Sequence, residues 1–591
     1  MSRKTETALI ALVLLLAAWL RLRGLDWGLP HAYHPDEGSI LFHSLAFGTG
    51  DLNPHWFRWP SFMMYLMFGV YGVYYAAGRL VGEFGAPVDI LRSYLTDLSP
   101  FWLMGRWVSA LAGVATVWVT YRIGKKIFGV TAGLIAALFL AVVYLHVRDS
   151  HYATPDVVTT FLASLSLLAA VRACESERAR DLVLSGLLAG LAASAKYPGV
   201  LASVGTFAAF LHLRRRGAVP LASIGGAAAA CLLGFVVGTP YSVLSWPEFA
   251  RDVSRQFTMV SSSGVAQVST SFAAGLAEVF GRTVMRGVGL PIFVLALVGI
   301  AAGPATRVRE RGGSILALAS YAIAVFVFAV LITVKRSTYL TPSLPAVAVL
   351  AAFGLTTVLG GLSRREGAWS RASVAVAAVL VSAVAVVPSI RFGTALARPD
   401  TRTLAKSWLE SEAGPGAKVA VEEYGPVLNP SEAQLRSMVG GDTTAVEEWK
   451  GPQRQLSKLR LEVGLGREPR YAVYGIGHGT EPFRLPDAYS EPRSLAAEID
   501  SLGIRFVVLS SKAAPWRPMN GAAPPAGDGA AQFYRRLTAS AELRERFIAR
   551  SHVPPIDRGH GRSFHNPVIE VYELEREDAA ESDPASEPED A

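Results

Sequence analysis

Residues 62–77 read Phe62-Met63-Met64-Tyr65-Leu66-Met67-Phe68-Gly69-Val70-Tyr71-Gly72-Val73-Tyr74-Tyr75-Ala76-Ala77. Whether they cross a bilayer decides the topology of the whole chain. The stretch is apolar, but it is rich in Tyr, Met and Gly, and Tyr favours the membrane–water interface.

The residues before it form one span. Residues 8–20 are apolar and follow Arg3 and Lys4, as in a signal peptide, but Arg21-Leu22-Arg23 comes next instead of a small-residue cleavage site. We read a retained first helix, with Arg21 and Arg23 anchoring its end. Further along, basic clusters between apolar runs mark the cytoplasmic side by the positive-inside rule. They are Arg122 with Lys125 and Lys126, then Arg172 with Arg178 and Arg180, Arg214-Arg215-Arg216, Arg307 to Arg311, and Arg364-Arg365. If residues 62–77 crossed, Lys125 and Lys126 would fall outside, unless an opposite miscount lay nearby. We therefore read them as a helix lying on or dipping into the outer leaflet. About eleven spans follow, at 6–23, 101–122, 130–147, 155–172, 182–195, 199–213, 219–238, 286–303, 314–334, 342–360 and 372–389. The N-terminus is then cytoplasmic and everything after Arg391 extracytoplasmic.

Composition agrees. Of 591 residues 51% are hydrophobic and 18% charged, against about 25% charged in soluble domains. A span needs roughly 20 mostly apolar residues, and such runs recur up to Pro388, after which charged sequence crowds in. Residues 401–412, 495–502 and 532–547 carry helical patterns. Between them lie short β-branched runs at 418–422, 471–474, 506–509 and 568–572, an alternation that suggests an α/β domain. The expected fold is a polytopic α-helical membrane protein with a C-terminal soluble α/β domain. Its parts are residues 1–390 (membrane), 391–575 (extracytoplasmic) and 576–591 (an acidic, disordered tail). Cys174 and Cys231 lie in or beside spans, which argues against a disulfide framework. The net charge of +8 comes from basic residues mainly at span ends, so nucleic acid is not an expected partner.

This topology collects chemistry on one outer face. After the first span comes Tyr33-His34-Pro35-Asp36-Glu37-Gly38. Pro and acids in a first turn make an ordinary helix start, yet two carboxylates at a span mouth are costly unless solvated or used. The next outer loop, Arg148-Asp149-Ser150-His151-Tyr152-Ala153-Thr154-Pro155-Asp156, offers the same groups. Together they suit proton abstraction from a hydroxyl, or a divalent cation held by oxygen and His ligands. No strong metal spacing is present, so a metal stays open. Lys196-Tyr197-Pro198-Gly199 and Lys335-Arg336-Ser337-Thr338-Tyr339 share that face. Cations around an acidic mouth, where bulk positive charge is disfavoured, point to an anion such as a phosphate. Arg106, at the outer start of the second span, and Arg58, between Trp56 and Trp59, join the group.

These pieces occur in one order: an acidic pair, an Arg opening the next span, a loop with Arg and Asp, Ala195-Lys196-Tyr197-Pro198-Gly199, and Lys335-Arg336 ahead of Tyr339-Leu340 and Pro342. The ordered set resembles the GT-C superfamily of polyprenyl-phosphate-sugar glycosyltransferases over most of residues 1–390. It is most similar to bacterial relatives of the dolichyl-phosphate-mannose protein mannosyltransferases and the lipid A aminoarabinose transferases. Residues 399–426 look like the outer domain of many such bacterial members. The resemblance implies Asp36 as catalytic base with Glu37 beside it, and Asp156 as the acid of the second loop. It implies Arg106, Lys196, Tyr197, Lys335, Arg336 and Tyr339 around the donor phosphate, with His34, Arg58, Arg148 and His151 as further candidates.

The implied activity is transfer of a sugar from a polyprenyl-phosphate donor to a lipid, glycan or protein acceptor, in the cell membrane. No β-trefoil repeat of the kind carried by protein-mannosyltransferase members is visible. A transporter or lipid-linked-sugar flippase is the alternative; it requires ionisable residues near span midpoints, and few are present. A receptor would require a cytoplasmic output domain, for which the inner loops are too short. The topology predicts that Ser39→Cys and Lys125→Cys react with an impermeant maleimide from opposite sides of the membrane. Labelling of both from one side would overturn it.

Overall fold

A computed structural model describes residues 2–261, 272–303, 309–332, 336–362, 368–438, 471–477, 483–486, 491–511, 533–535, 537, 541–549 and 566–574. They divide into two compact units, one ending at Pro399 and the other beginning at Asp400. Lys335 and the acidic tail at 576–591 lie outside the described residues.

The first unit is helical. Its chain runs α1 (Arg3–Leu22), α2 (Glu37–Ala46), α3 (Phe62–Leu80), α4 (Pro87–Thr96), α5 (Ser99–Phe128), α6 (Val130–Val142) and α7 (Tyr144–Asp149). It continues through α8 (Pro155–Ser176), α9 (Ala179–Ala195), α10 (Ala202–Arg215), α11 (Ala222–Gly238), α12 (Tyr241–Leu244) and α13 (Trp246–Ser261). Further helices cover Leu290–Ala302, Arg309–Leu331, Leu344–Leu362 and Ala368–Leu396.

Among the described residues seven helices are long and apolar enough to cross a membrane, and Val130–Val142 and Ala222–Gly238 are shorter apolar ones. Among the described residues ten of the eleven expected spans fall on helices, whereas 130–147 is interrupted at Val143 between α6 and α7; seven helices meet the length and composition of a span. The helix Phe62–Leu80 is not among the seven. Leu12, Leu15, Leu232, Leu233, Leu380 and Val384 stand exposed. Apolar side chains in such numbers on an outer surface suit a lipid environment. Where helices meet, small residues let backbones close: a Cβ on Gly190 would sit 1.9 Å from the Cys231 carbonyl oxygen, and one on Gly186 2.1 Å from that of Ala227. This four-residue spacing of small residues is how membrane helices pack without a hydrophobic drive.

Between α6 and α7 the helix breaks at Val143, freeing the last carbonyls of α6. Arg21, expected at the interface, is instead fully buried and supplies the missing donors. Its Nη1 donates to the Ala141 and Ala17 carbonyls (3.1 and 3.0 Å), and its Nη2 to the Leu140 carbonyl and His146 Nδ1 (3.3 and 2.8 Å). The Ser389 hydroxyl satisfies Val142 (2.9 Å). Arg148 and Asp149 end α7, at the loop that leads into α8.

The second unit carries a six-stranded sheet, β1 (Lys418–Glu422), β2 (Ala472–Ile476), β3 (Arg484–Leu485), β4 (Phe506–Ser510), β5 (Ala541–Phe547) and β6 (Ile569–Leu574), in the order β3-β2-β1-β4-β6-β5. The pairs β1–β2, β1–β4 and β2–β3 are parallel, and β4–β6 and β5–β6 antiparallel. Alternation splits the core: Val419, Val421 and Val508 pack with Ala405 and Leu409 of the helix Thr401–Glu412. Ala420, Val507 and Leu509 pack with Leu495 and Ile499 of the helix Pro492–Leu502. The expected helix at 532–547 is corrected in its second half, which is strand β5. Its Ala-Glu-Leu-Arg-Glu-Arg sequence favours a helix, but the ladder to β6 prevails, and the exposed charges guard a sheet edge.

Arg21→Ala would leave buried carbonyls without donors, at a cost of about 2–4 kcal/mol. A lowered Tm of the purified protein is the expected result, and an unchanged Tm would show that the α6 terminus is held otherwise.

Candidate active site

Pro35-Asp36-Glu37 opens α2 with Asp36 at the N-cap, and the Asp36 side chain makes no capping bond. Glu37, one residue on, is wholly buried and held by Arg106 of α5: Nε donates to Oε1 and Nη2 to Oε2, both at 2.8 Å. Arg106 is also fully buried, and its Nη1 donates to the carbonyls of Leu25 (2.8 Å) and Trp27 (2.7 Å). The backbone N–H of Ala153 donates to Glu37 Oε1 at 2.8 Å. Burial works against the Glu37 charge, but Arg106 outweighs it and holds the carboxyl below its usual range. Gly105 makes the approach possible, since a Cβ there would lie 2.6 Å from that of Ala153. One bidentate pair thus joins the end of α1, the start of α2, α5 and the loop between α7 and α8.

His34 accepts a bond from the Asp36 N–H on Nδ1 (3.2 Å), and its ring lies on Tyr152 with centroids 4.3 Å apart. Burial pushes its pKa below the ordinary value, against the pull of Glu37 and Asp36. His151 has Nδ1 2.8 Å from the Val147 carbonyl oxygen and Nε2 3.3 Å from that of Arg23, with Phe392 edge-on to its ring. Burial pushes its pKa down to about 4. Both rings are packed into the wall of the site.

The turn from α7 into α8 holds two more ion pairs. Arg148 Nε and Nη2 donate to Asp149 Oδ1 (2.8 and 2.7 Å), and Nη2 also donates to Ser337 Oγ at 2.9 Å. The Thr341 hydroxyl donates to Asp149 Oδ2. This clamps both ends of the 3-10 turn Ser337–Ser343, which follows Arg336 and carries Tyr339. Burial pushes the Asp149 carboxyl up to about 6, with Asp156 adding to the effect and Arg148 opposing it. Asp156 enters the first turn of α8, where Lys196 Nζ donates to its Oδ1 at 2.5 Å. The same ammonium lies 5.6 Å from the centre of the Tyr339 ring. Burial disfavours the Lys196 charge, yet Asp156, Tyr339 and Asp36 together hold its pKa above the ordinary value.

Three of the four carboxylates here therefore have a cation: Glu37 with Arg106, Asp149 with Arg148 and Asp156 with Lys196. Asp36 is half-buried and its carboxylate has no hydrogen bond or ion pair among the described residues. Sequence reasoning set Arg106 at the phosphate and Glu37 beside the base. The structure commits them to each other, because an unpaired charge at full burial is too costly. Tyr197 donates its hydroxyl to the Phe57 carbonyl at 2.8 Å. Arg58 and Arg336 are exposed.

Asp149, Ser337 and Thr341 were absent from the expected site residues. Asp149 adjoins Arg148 in the quoted loop, but nothing local distinguishes the two hydroxyls. Among the described residues no group of three His, Cys, Asp or Glu side chains is placed to hold a metal ion.

Residues 95–245 match the family described as dolichyl-phosphate-mannose-protein mannosyltransferase. Among solved structures the chain is similar to ArnT from Cupriavidus metallidurans bound to undecaprenyl phosphate, with 16% identity, TM-score 0.47, and coverage of 96% of this chain and 98% of that one. It is also similar to the apo oligosaccharyltransferase of Archaeoglobus fulgidus, with 13% identity, TM-score 0.47, and coverage of 86% and 70%. Similarity to the S. cerevisiae Pmt1–Pmt2 complex bound to the sugar donor has 21% identity, TM-score 0.29, and coverage of 44% and 34%. No curated protein matches the sequence.

Breaking the buried pair from one side, by Glu37→Gln or Arg106→Met, is expected to cost about 3–5 kcal/mol in unfolding free energy. The double variant Glu37→Gln/Arg106→Met should lose less than the sum. Strictly additive losses would show that the two side chains act independently.

Proposed function

We propose that the chain, whose residues 95–245 match the dolichyl-phosphate-mannose-protein mannosyltransferase family, is a GT-C glycosyltransferase that transfers a sugar at the extracytoplasmic membrane surface. The donor is a polyprenyl-phosphate-linked sugar, and the acceptor is a hydroxyl or amine on a lipid, glycan or protein. The observation that carries this reading is the pairing pattern: every other carboxylate of the site is held by a cation, and Asp36 is left to take a proton.

The reaction is a single displacement with inversion. The acceptor oxygen or nitrogen attacks the anomeric carbon as Asp36 removes its proton, and the bond from that carbon to the phosphate oxygen breaks. A positioned base contributes roughly 10²–10⁴-fold. The lipid phosphate leaves as a weakly basic anion and needs no general acid. Its charge is met by Lys196, held in place by Asp156 and lying near the Tyr339 ring, and by Arg336 and Lys335. Fixed cations near low-dielectric lipid act strongly and need not reorganise. Glu37 and Arg106 position Asp36 without touching substrate, and the Arg148–Asp149 clamp does the same for the turn carrying Tyr339. In this reading the unit beginning at Asp400 is extracytoplasmic, and the N-terminus faces the cytoplasm of a cell whose inner membrane holds the protein.

The test is to incubate the purified protein with a panel of polyprenyl-phosphate sugars and membrane extract, and to identify the glycosylated product by mass spectrometry. Asp36→Asn is expected to abolish the product while the protein stays folded and inserted. Near-normal transfer by that variant would overturn the base assignment.

A further inference from the structure

Between the 3-10 turn Phe47–Thr49, which follows α2, and the start of α3 the chain has no regular secondary structure, yet it is fastened at several points. Asn53 Nδ2 donates to Ser245 Oγ (3.1 Å) and to Glu248 Oε2 (3.0 Å) of α13. His55 sits between two carboxylates, with Nε2 2.9 Å from Asp51 Oδ2 and Nδ1 3.1 Å from Glu248 Oε2. The Phe57 N–H donates to Asp252 Oδ2 (3.1 Å), and the Phe57 carbonyl accepts from Tyr197, beside Lys196. Residues 53, 55 and 57 thus tie the segment to α13 and to the cationic turn.

The residues between and after them are left free. Trp56 and Trp59 are half-buried and Arg58 is exposed. Neither indole N–H donates to a protein acceptor among the described residues, and the Arg58 guanidinium has no partner there. The rings are nonetheless ordered by each other: Trp56 stacks on His43 with centroids 4.8 Å apart and planes at 20°, and Trp59 stands edge-on to Trp56 at 5.4 Å and 85°. His43 lies seven residues after Asp36 on α2, which is two turns on the same face and about 10 Å along the axis. Between them Ser39 is also half-exposed, so a half-exposed stripe runs from Asp36 to the aromatic cluster.

We propose that Trp56, Trp59 and Arg58 form a carbohydrate-binding platform that seats an acceptor glycan, with the sugar to be modified over Asp36 and a neighbouring ring on the indoles. The assignment rests on the glycosyltransferase reading of Asp36. Rigid aromatic faces meet the C–H faces of sugar rings with little loss of side-chain freedom, as Trp anchors do at other interfaces. The unpaired groups are all donors, two indole N–H groups and a guanidinium, and they match a ligand rich in hydroxyl and ring oxygens. Asp36 supplies the acceptor for the one hydroxyl that reacts. Tryptophan also seats in lipid headgroups, but here the segment is bonded across to α13 and Tyr197 and held against α2, at a fixed distance from the base.

The test uses the full-length protein in phosphatidylcholine nanodiscs, with Asp36→Asn in place to prevent turnover, on an array of neutral and acidic oligosaccharides. Capture of a subset of glycans is expected. Trp56→Ala and Trp59→Ala should each weaken it about tenfold or more, while Trp59→Phe, which keeps a ring face, retains most of it. No capture at all, or equal capture by Trp59→Ala, would overturn the platform. So would brominated phosphatidylcholine quenching the fluorescence component that Trp56→Phe/Trp59→Phe removes, since that seats the indoles in lipid. Normal transfer by Asp36→Asn together with Trp-dependent capture would instead sink the base assignment and leave the platform standing.

Discussion

The buried pair between Glu37 and Arg106 is the constraint from which the site's end of the membrane unit is built. Neither side chain touches solvent, and each would be prohibitively costly alone. Their mutual bidentate contact leaves spare capacity, which is filled by the carbonyls of Leu25 and Trp27 and the N–H of Ala153. Satisfying one ion pair therefore brings four separate pieces of chain to one point. The order of causes matters: an apolar bundle tolerates these charges only when every lone pair and proton is used, and that requirement sets where the loops go.

The same accounting separates roles among acids of one type. Asp149 is held by Arg148 and Thr341, Asp156 by Lys196, and Glu37 by Arg106. Asp36 is adjacent to Glu37, yet the helical step turns it away from the bundle toward the half-exposed stripe of α2. Two neighbouring carboxylates thus differ in environment, one buried and paired and one half-exposed, because one residue's rotation about a helix exchanges burial for access. A parallel logic holds at Lys196, whose charge is maintained despite burial by the carboxylate it grips.

Much of the fold was legible from local pattern. The strand Lys418–Glu422 and the helix Thr401–Glu412 fall at the boundaries their residues predict, since β-branched alternation and an Asp cap act within a few residues. Residues 541–547 misled, because their helix-forming side chains sit on an edge strand where pairing with β6 decides. Arg21 misled for a related reason: a basic residue at a span end ordinarily reaches for the interface, but here a broken helix offered carbonyls in need of donors. Ser337 and Thr341 were invisible, since ordinary hydroxyls gain significance only from what folds against them.

By itself the sequence determined the membrane class, the helical segments, the second α/β unit and the short set of charged residues that matter, because hydropathy and charge act residue by residue. Tertiary structure alone decided which of those charges neutralise one another. Asp36 and Glu37 are chemically near-identical neighbours, and only the position of Arg106, distant in sequence and adjacent in space, distinguishes them. Ion pairing falls off over a few ångströms, and distances of that kind between remote segments are set by packing.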